Sequence, residues 1–208
     1  MATSSRRSFE RGDHICALYS SERELATLAA NFLAEGLARR ERCWYVAAGN
    51  EGASVRAMLG RRGVKVDAAV KRGALNIIAD PEAYLVRGEF DAEHTIAVFS
   101  DAIEQALHDG FSGFRAAADM SWALSLKDGG QCVIAYEALL RSLFATSRVI
   151  GLCLYDRNRM PLAILHGALM THPIARVDGP FDTNPFYDPR VRTIPTAMTP
   201  AVQARFTS

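Results

Sequence analysis

The stretch Gly12–Ala26, GDHICALYSSERELA, carries the local signals that decide the fold class. Its apolar run HICALYS, residues 14–20, predicts a buried strand. Ser21 and Glu24 follow at the spacing of a capping box, which satisfies free backbone amides at a helix start. Apolar residues then recur at intervals of three and four, from Leu25 to Leu37, which predicts an amphipathic helix. A strand that leads directly into a helix is the first half of a β-α-β unit.

The same alternation of apolar strands and amphipathic helices continues along the chain. Further strands are predicted where uninterrupted apolar runs occur: RCWYVAA (42–48), ALNIIAD (74–80), FRAAADM (114–120), VIGLCLYD (149–156) and, at a sheet edge, IARV (174–177). Helices are predicted between them: after Gly49-Asn50, after the capping residue Asp91, over QCVIAYEALLRSLFAT (131–146) and after Pro161. Because the predicted strands are apolar on both faces, we expect an α/β fold with a mostly parallel sheet and helices on both faces.

Length and composition favour one domain with flanking segments. The chain has 208 residues, enough for one substantial core. We expect a flexible N-terminus over residues 1–9 and a folded domain over 10–178. From Gly179 onward Pro, Thr, Asn and Asp become frequent, so residues 179–208 are expected to form a surface extension that is frayed at its end.

Charge and hydropathy exclude several classes of function. With 24 basic and 23 acidic residues the net charge is +1, so no electrostatic footprint for nucleic acid is expected. No apolar segment reaches the roughly 20 residues of a membrane span. The N-terminus MATSSRRSFERGD lacks the apolar core of a signal peptide, and we expect a cytoplasmic protein with no membrane partner.

The turn after the first strand lacks the features of a phosphate-binding loop. Such a loop needs glycines that turn backbone amides inward and a lysine for the phosphates. The turn here, YSSEREL, has neither, and Glu22 and Glu24 would repel a phosphate group. Ordinary nucleotide hydrolysis is therefore not expected.

Polar and aromatic residues at the strand ends are candidates for a ligand site, because ligands of open parallel sheets bind beyond the carboxyl ends of the strands. The candidates are Ser20, Ser21, Asp119, Trp122, Tyr155 and Asp156. The alternative is that the two aspartates only cap the helix or turn that follows them.

His14 and Cys16 lie two residues apart and so face the same side of a strand. They would bind a metal with a third ligand such as Cys153 or His172, or act as a thiol nucleophile and its base. The simpler interpretation is structural, with no metal and no cofactor. Arg115 lies inside an apolar strand and is interpreted first as a buried ion pair with Glu137 or Asp119, and second as an anchor for an anion.

Six motifs, in this order, resemble the MEDS sensory domain (methanogen/methylotroph sensory domain) of prokaryotic signalling proteins. They are GDHICALYSSERE, FLAEGLARRERCWYVA, GFSGFRAAADMSWAL, YEALLRSLF, LCLYDRNRMPLAILHGALMTHP and NPFYDP, which together span roughly residues 10–189. Positions carried over from the motifs without an assigned role are His14, Cys16, Tyr19, Arg115, Met120 and His172, beside the candidate ligand residues above.

The resemblance implies a sensory, non-catalytic module for small hydrocarbon derivatives, built on a RecA-like core without its phosphate-binding loop. Family members often carry a DNA-binding or histidine-kinase domain on the same chain. Because this chain leaves no room for one, we expect either a longer protein or a separate regulatory partner: a kinase, an anti-sigma factor or a DNA-binding protein.

The resulting hypothesis is a ligand-sensing module that binds a small, largely apolar molecule. Two alternatives stay open. One is a thiol- or metal-dependent hydrolase that uses His14 and Cys16, and the other is a protein-interaction domain without a ligand.

Overall fold

The computed structural model describes residues 8–78, 85–86, 89–126 and 131–191. The predictions for residues 1–7 and 192–208 therefore concern residues outside the described part. Within the described part the strands are β1 (His14–Tyr19), β2 (Arg42–Val46), β3 (Leu75–Ile78), β4 (Leu85–Val86), β5 (Glu89–Phe90), β6 (Phe114–Asp119), β7 (Val149–Asp156), β8 (Ile174–Arg176) and β9 (Asp182–Thr183).

Seven of these strands form one sheet in the order β3-β2-β6-β7-β1-β8-β9. All neighbouring pairs in it are parallel except β8 and β9, which are antiparallel. β4 and β5 form a separate antiparallel pair. The prediction of a mostly parallel sheet is confirmed. The expected edge position of residues 174–177 is wrong, because β8 lies between β1 and β9.

Helices cover both faces of the sheet, as predicted. They are α1 (Glu22–Ala38), α2 (Glu51–Arg61), α3 (Val66–Lys71), α4 (Ala92–His108), α5 (Gln131–Thr146) and α6 (Leu162–Thr171), with a short 3-10 helix after β6 (Met120–Ser125). Apolar residues of α1, α2 and α3 pack in one cluster on one face. Those of α4, α5 and α6 pack in two further clusters on the opposite face.

The helix starts follow the capping signals in the sequence. The Ser21 side chain accepts a hydrogen bond from the amide of Glu24, whose carboxylate in turn accepts one from the amide of Ser20. Asp91 accepts from the amide of His94 at the start of α4. Each cap satisfies amides that the helix itself leaves free. α5 has the predicted bounds, 131–146.

Strand alternation decides which side chains of the central strands reach which face. Ile15, Ala17 and Tyr19 of β1 join the cluster under α1. Cys16 and Leu18 of the same strand join a cluster with α5 and α6. β7 lies beside β1 with His14 opposite Gly151 and Cys16 opposite Cys153, so His14, Cys16 and Cys153 all face α5 and α6.

Among the residues that the structure describes, none of the helices combines the length and apolar character that a membrane span requires.

Candidate functional site

Four side chains with metal-ligating chemistry meet between the two central strands and helices α5 and α6. We call them the four-residue cluster: His14 at the start of β1, Glu137 in α5, Cys153 in β7 and His172 just after α6. One ligand atom from each lies within 4.8 Å of the other three. All four residues are buried. Residues that are far apart in the sequence thus form one polar centre in the core.

The carboxylate of Glu137 is the centre of the cluster. Its Oε2 lies 3.0 Å from Nε2 of His14, 3.4 Å from Nε2 of His172 and 3.7 Å from Sγ of Cys153. Sγ of Cys153 is also 3.7 Å from Nε2 of His14. The other carboxylate oxygen, Oε1, accepts a hydrogen bond of 2.6 Å from the Tyr155 hydroxyl, which fixes the orientation of the carboxylate.

A backbone carbonyl in the last turn of α6 fixes the orientation of His172. Its Nδ1 lies 2.7 Å from the carbonyl oxygen of Ala168, in the last turn of α6. A carbonyl oxygen only accepts, so Nδ1 carries the proton and donates it there. In a neutral ring, Nε2 then holds a lone pair, and it points toward Glu137. In the described part of the chain, Nε2 of His172 has no hydrogen-bond partner, and neither has Nδ1 of His14.

Aromatic packing fixes the ring of His14. The ring stacks on Phe144 with centroids 4.5 Å apart and lies 3.9 Å from the ring of His172. Phe144 occupies the space over Gly151, where a Cβ atom would overlap its ring. The small residue in β7 therefore allows an aromatic ring to support the cluster.

Burial and charge set the protonation states in the cluster. Burial alone would raise the pKa of Glu137, but His172 and His14 and the hydrogen bonds from His14 and Tyr155 lower it to about 2. Burial, and then the charge of His14, lower the pKa of His172 to about 3, so this ring is neutral at pH 7. Burial raises the pKa of the Cys153 thiol well above its usual range, and nearby Glu137 adds to this.

An apolar cavity of about 30 Å³ lies beside the cluster. It is partly open and is lined by residues of α4, α5, β6 and β7, among them Phe99 and Ile103 of α4 and Leu140 and Phe144 of α5. Cys153 lines this cavity and also belongs to the four-residue cluster. The polar centre and the apolar cavity are therefore adjacent.

A second polar group lies at the carboxyl end of β6. Oδ1 of Asp119 accepts hydrogen bonds of 3.0 Å from the Tyr19 hydroxyl and from the amide of Ser121. The Tyr19 hydroxyl is also 3.0 Å from Oγ of Ser121. Burial raises the pKa of Asp119 above its usual range. Within the described residues its Oδ2 is buried and has no hydrogen-bond partner.

The six predicted ligand residues divide among different hydrogen-bond and packing partners within the described part of the chain. Ser20 and Ser21 bond to Glu24 at the start of α1. Asp156 accepts from the amide of Asn158, which is the capping role weighed as the alternative. The other three candidates are buried in different surroundings: Asp119 bonds to Tyr19, Tyr155 to Glu137, and Trp122 packs against Phe90 with ring centroids 4.8 Å apart.

Two further motif positions, Met120 and Cys16, are buried on the face of the sheet that α5 and α6 cover. Met120 lines the apolar cavity. Cys16 is buried next to the cluster but is not one of its four members. Burial raises the pKa of the Cys16 thiol well above its usual range, whereas a thiol nucleophile needs a lowered pKa.

Arg115 forms a buried ion pair, as its position in an apolar strand indicates, but the predicted partners are wrong. Its Nε lies 2.5 Å from Oε2 of Glu41, on the α1 face of the sheet. Glu137 is on the opposite face, and Asp119 bonds to Tyr19. The sequence could not show which face Arg115 points to relative to Glu137, because that depends on strand pairing.

Glu137 is the one member of the cluster that the sequence did not predict as a metal ligand or site residue, because the sequence indicated it only as a candidate partner of Arg115. A signal exists in the segment VIAYEALL, where one carboxylate stands in an otherwise apolar or aromatic stretch of α5. Such a carboxylate, fully buried in the structure, needs a partner of opposite charge or hydrogen-bond donors.

The fold and its buried polar centre define an α/β domain whose first strand-to-helix turn is a helix cap in place of a phosphate-binding loop. A family model, described as MEDS: MEthanogen/methylotroph, DcmR Sensory domain, matches residues 13–173, and the chain belongs to this family. It is therefore a sensory domain, as the sequence motifs indicated.

Among solved structures, the flagellar accessory protein FlaH from Methanocaldococcus jannaschii is similar to this chain. The match covers 80% of this chain and 70% of that chain, with a TM-score of 0.54 and 11% sequence identity. At this identity the similarity shows a shared α/β fold. A comparison with curated proteins found no match.

Proposed function

We propose that this chain is a cytoplasmic, non-catalytic sensing module that binds a small, largely apolar molecule. The observation that supports this most directly is the apolar cavity lined by α4, α5, β6 and β7. Membership of a sensory-domain family supports the sensing role.

The size and lining of the cavity suggest the class of ligand. About 10–15 Å³ is enough for one water molecule, so about 30 Å³ leaves room for a molecule of a few heavy atoms. Apolar cavities of this kind favour apolar ligands over water. We therefore expect a short hydrocarbon derivative.

The signal would pass through α4 and α5, the helices that line the cavity. A ligand shifts a conformational equilibrium only by its differential affinity for the two states. A molecule that fills the space between α4, α5 and the sheet stabilises the packed position of these helices. We propose that a separate regulatory protein, such as a kinase, an anti-sigma factor or a DNA-binding protein, reads this position.

The test measures thermal stabilisation of the chain by methanol, chloroform and xenon. A ligand that binds only the folded state raises the melting temperature with concentration. We expect at least one probe to do so for the wild type. Ala116→Leu, which fills the cavity, should abolish the effect, and Val98→Leu on the exposed side of α4 should preserve it.

The strand edge is a second candidate position for the ligand, because the buried Oδ2 of Asp119 lacks a hydrogen-bond partner in the described part of the chain. If Asp119→Asn abolishes stabilisation by methanol while Ala116→Leu does not, the ligand binds at this edge. If none of the three probes stabilises the wild type, the proposal of a small apolar ligand is wrong.

A further inference from the structure

The four-residue cluster has the composition and spacing of a metal site. Zinc in proteins is held by nitrogen and oxygen at about 2.0–2.2 Å and by sulfur at about 2.3 Å, in tetrahedral geometry. Such bonds place neighbouring ligand atoms about 3.3–3.6 Å apart. Four of the six distances between the ligand atoms are 3.0, 3.4, 3.7 and 3.7 Å, close to the edges of this tetrahedron, and all six are within 4.8 Å.

The geometry around His172 leaves a buried lone pair that forms no hydrogen bond within the described part of the chain. Because Nδ1 donates to the Ala168 carbonyl, the lone pair of Nε2 lies 3.4 Å from the Glu137 carboxylate, and both atoms are acceptors. Two acceptors that face each other in a buried site repel, and a metal ion bound to both removes this repulsion. A hydrogen bond from Nδ1 to a backbone carbonyl is also the usual support of a metal-ligating histidine.

We propose that the chain binds one four-coordinate zinc ion through Nε2 of His14, Oε2 of Glu137, Sγ of Cys153 and Nε2 of His172. As the metal binds, the thiol proton of Cys153 leaves to solvent, and Nε2 of His14 gives up the proton that it otherwise donates to Glu137. The ring of His14 then carries its proton on Nδ1 and is neutral. The two negative charges of the carboxylate and the thiolate then balance the charge of the ion, so the buried site is neutral.

The donor set selects the class of metal. Calcium and magnesium prefer sites made of oxygen ligands. Two imidazoles, one thiolate and one carboxylate in a tetrahedral arrangement favour zinc. All four positions of the tetrahedron come from protein side chains, which is typical of a structural zinc site with no open position for a substrate.

This inference does not rest on the proposed function, although the site and the cavity share Cys153. A metal at this position would join β1, β7, α5 and the end of α6, and it could be present whether or not the cavity binds a ligand.

The test titrates the chelator-treated chain with Co²⁺, followed by displacement with Zn²⁺. We expect one Co²⁺ per chain, visible bands of tetrahedral cobalt and a near-ultraviolet thiolate-to-cobalt band, all lost on addition of Zn²⁺. Cys153→Ser should remove the thiolate band. It should also weaken zinc binding by more than roughly 100-fold. Loss of a residue that only hydrogen-bonds to a metal ligand costs roughly 10- to 100-fold, and loss of the ligand itself should cost more.

The chain supplies matched controls because it has four cysteines. Cys16→Ser, next to Cys153 in the sheet, should retain the thiolate band, and so should Cys43→Ser and Cys132→Ser. If Cys153→Ser fails to fold, retention of the band in these three variants still assigns the sulfur to Cys153.

Two outcomes would overturn the inference. One is a wild-type chain that stays folded by circular dichroism and gives no thiolate band with Co²⁺. The other is loss of the band in Cys16→Ser to the same extent as in Cys153→Ser.

Discussion

Arg115 is fully buried on the face of the sheet that α1 covers. Its guanidinium bonds to Glu41, donates to the carbonyl oxygen of Phe32 and lies over the Phe32 ring, 4.6 Å from its centroid. Glu35 is 3.8 Å away and partly exposed. Glu41 is therefore the main counter-charge of an arginine that water does not reach.

Glu41→Gln should lower the free energy of unfolding by about 3 kcal/mol, because removing one partner of a buried pair leaves the other charge uncompensated. Urea denaturation of the variant and the wild type measures this difference.

The control for this prediction is the exposed ion pair of Arg56 with Asp67. Asp67→Asn should change the free energy of unfolding by less than about 1 kcal/mol, because solvent screens such pairs. Equal losses for Glu41→Gln and Asp67→Asn would contradict the importance of the buried pair.

At the scale of elements, the sequence predicts the helices and strands well where the signals are local. Ser21 and Asp91 mark two helix starts because each cap depends on residues within one turn. The bounds of α5 follow from the apolar pattern of one segment. By contrast, the pairing of Arg115 with Glu41 and the meeting of Glu137 with His14 depend on strand order. Strand order brings distant segments together and has no local signal.

Helix α1 packs closely on the sheet at Gly36. A Cβ atom at this position would lie 2.7 Å from Cδ of Arg115 and 2.7 Å from Sγ of Cys43. Gly60 in α2 differs, because no described atom lies within 4 Å of the corresponding Cβ position.

Gly36→Ala should lower the free energy of unfolding by about 1–3 kcal/mol, because an added methyl group forces α1 away from a packed surface. Gly60→Ala should instead raise it, by up to about 1 kcal/mol, because alanine favours the helix and meets no neighbour. Thermal or urea denaturation of both variants compares them directly. Stabilisation by Gly36→Ala would mean that α1 does not approach the sheet this closely.

At the scale of the whole molecule, the segment after β8 is attached to the domain by specific bonds. Nδ2 of Asn184 donates to the carbonyl oxygens of Leu169 and His172, at 2.5 and 2.8 Å. The amide of Asp188 donates to the carbonyl oxygen of Met170. Asn184 is buried although it follows the edge strand β9. These bonds connect the segment to the end of α6, where His172 lies.

Asn184→Ala should lower the free energy of unfolding by about 1–3 kcal/mol, because two buried carbonyls lose their donor. We also expect faster amide exchange in the last turn of α6 and earlier proteolytic cleavage after residue 178, followed by mass spectrometry. Asp182→Asn, at an exposed position of β9, should leave both unchanged. Unchanged exchange in Asn184→Ala would show that the segment does not support α6.

The position of β1 in the sheet has a consequence for the order of folding. β1 is synthesised before both of its neighbours in the sheet, β7 and β8, because His14 is paired with Gly151 and Ile15 with Ile174. Such pairing of distant segments slows folding, because the intervening chain must be ordered before the contacts form. Until the ribosome has released β7 and β8, the apolar β1 has neither of its native neighbours in the sheet. An unpaired apolar strand of this kind promotes aggregation, so the risk for the growing chain ends only when β7 and β8 have emerged.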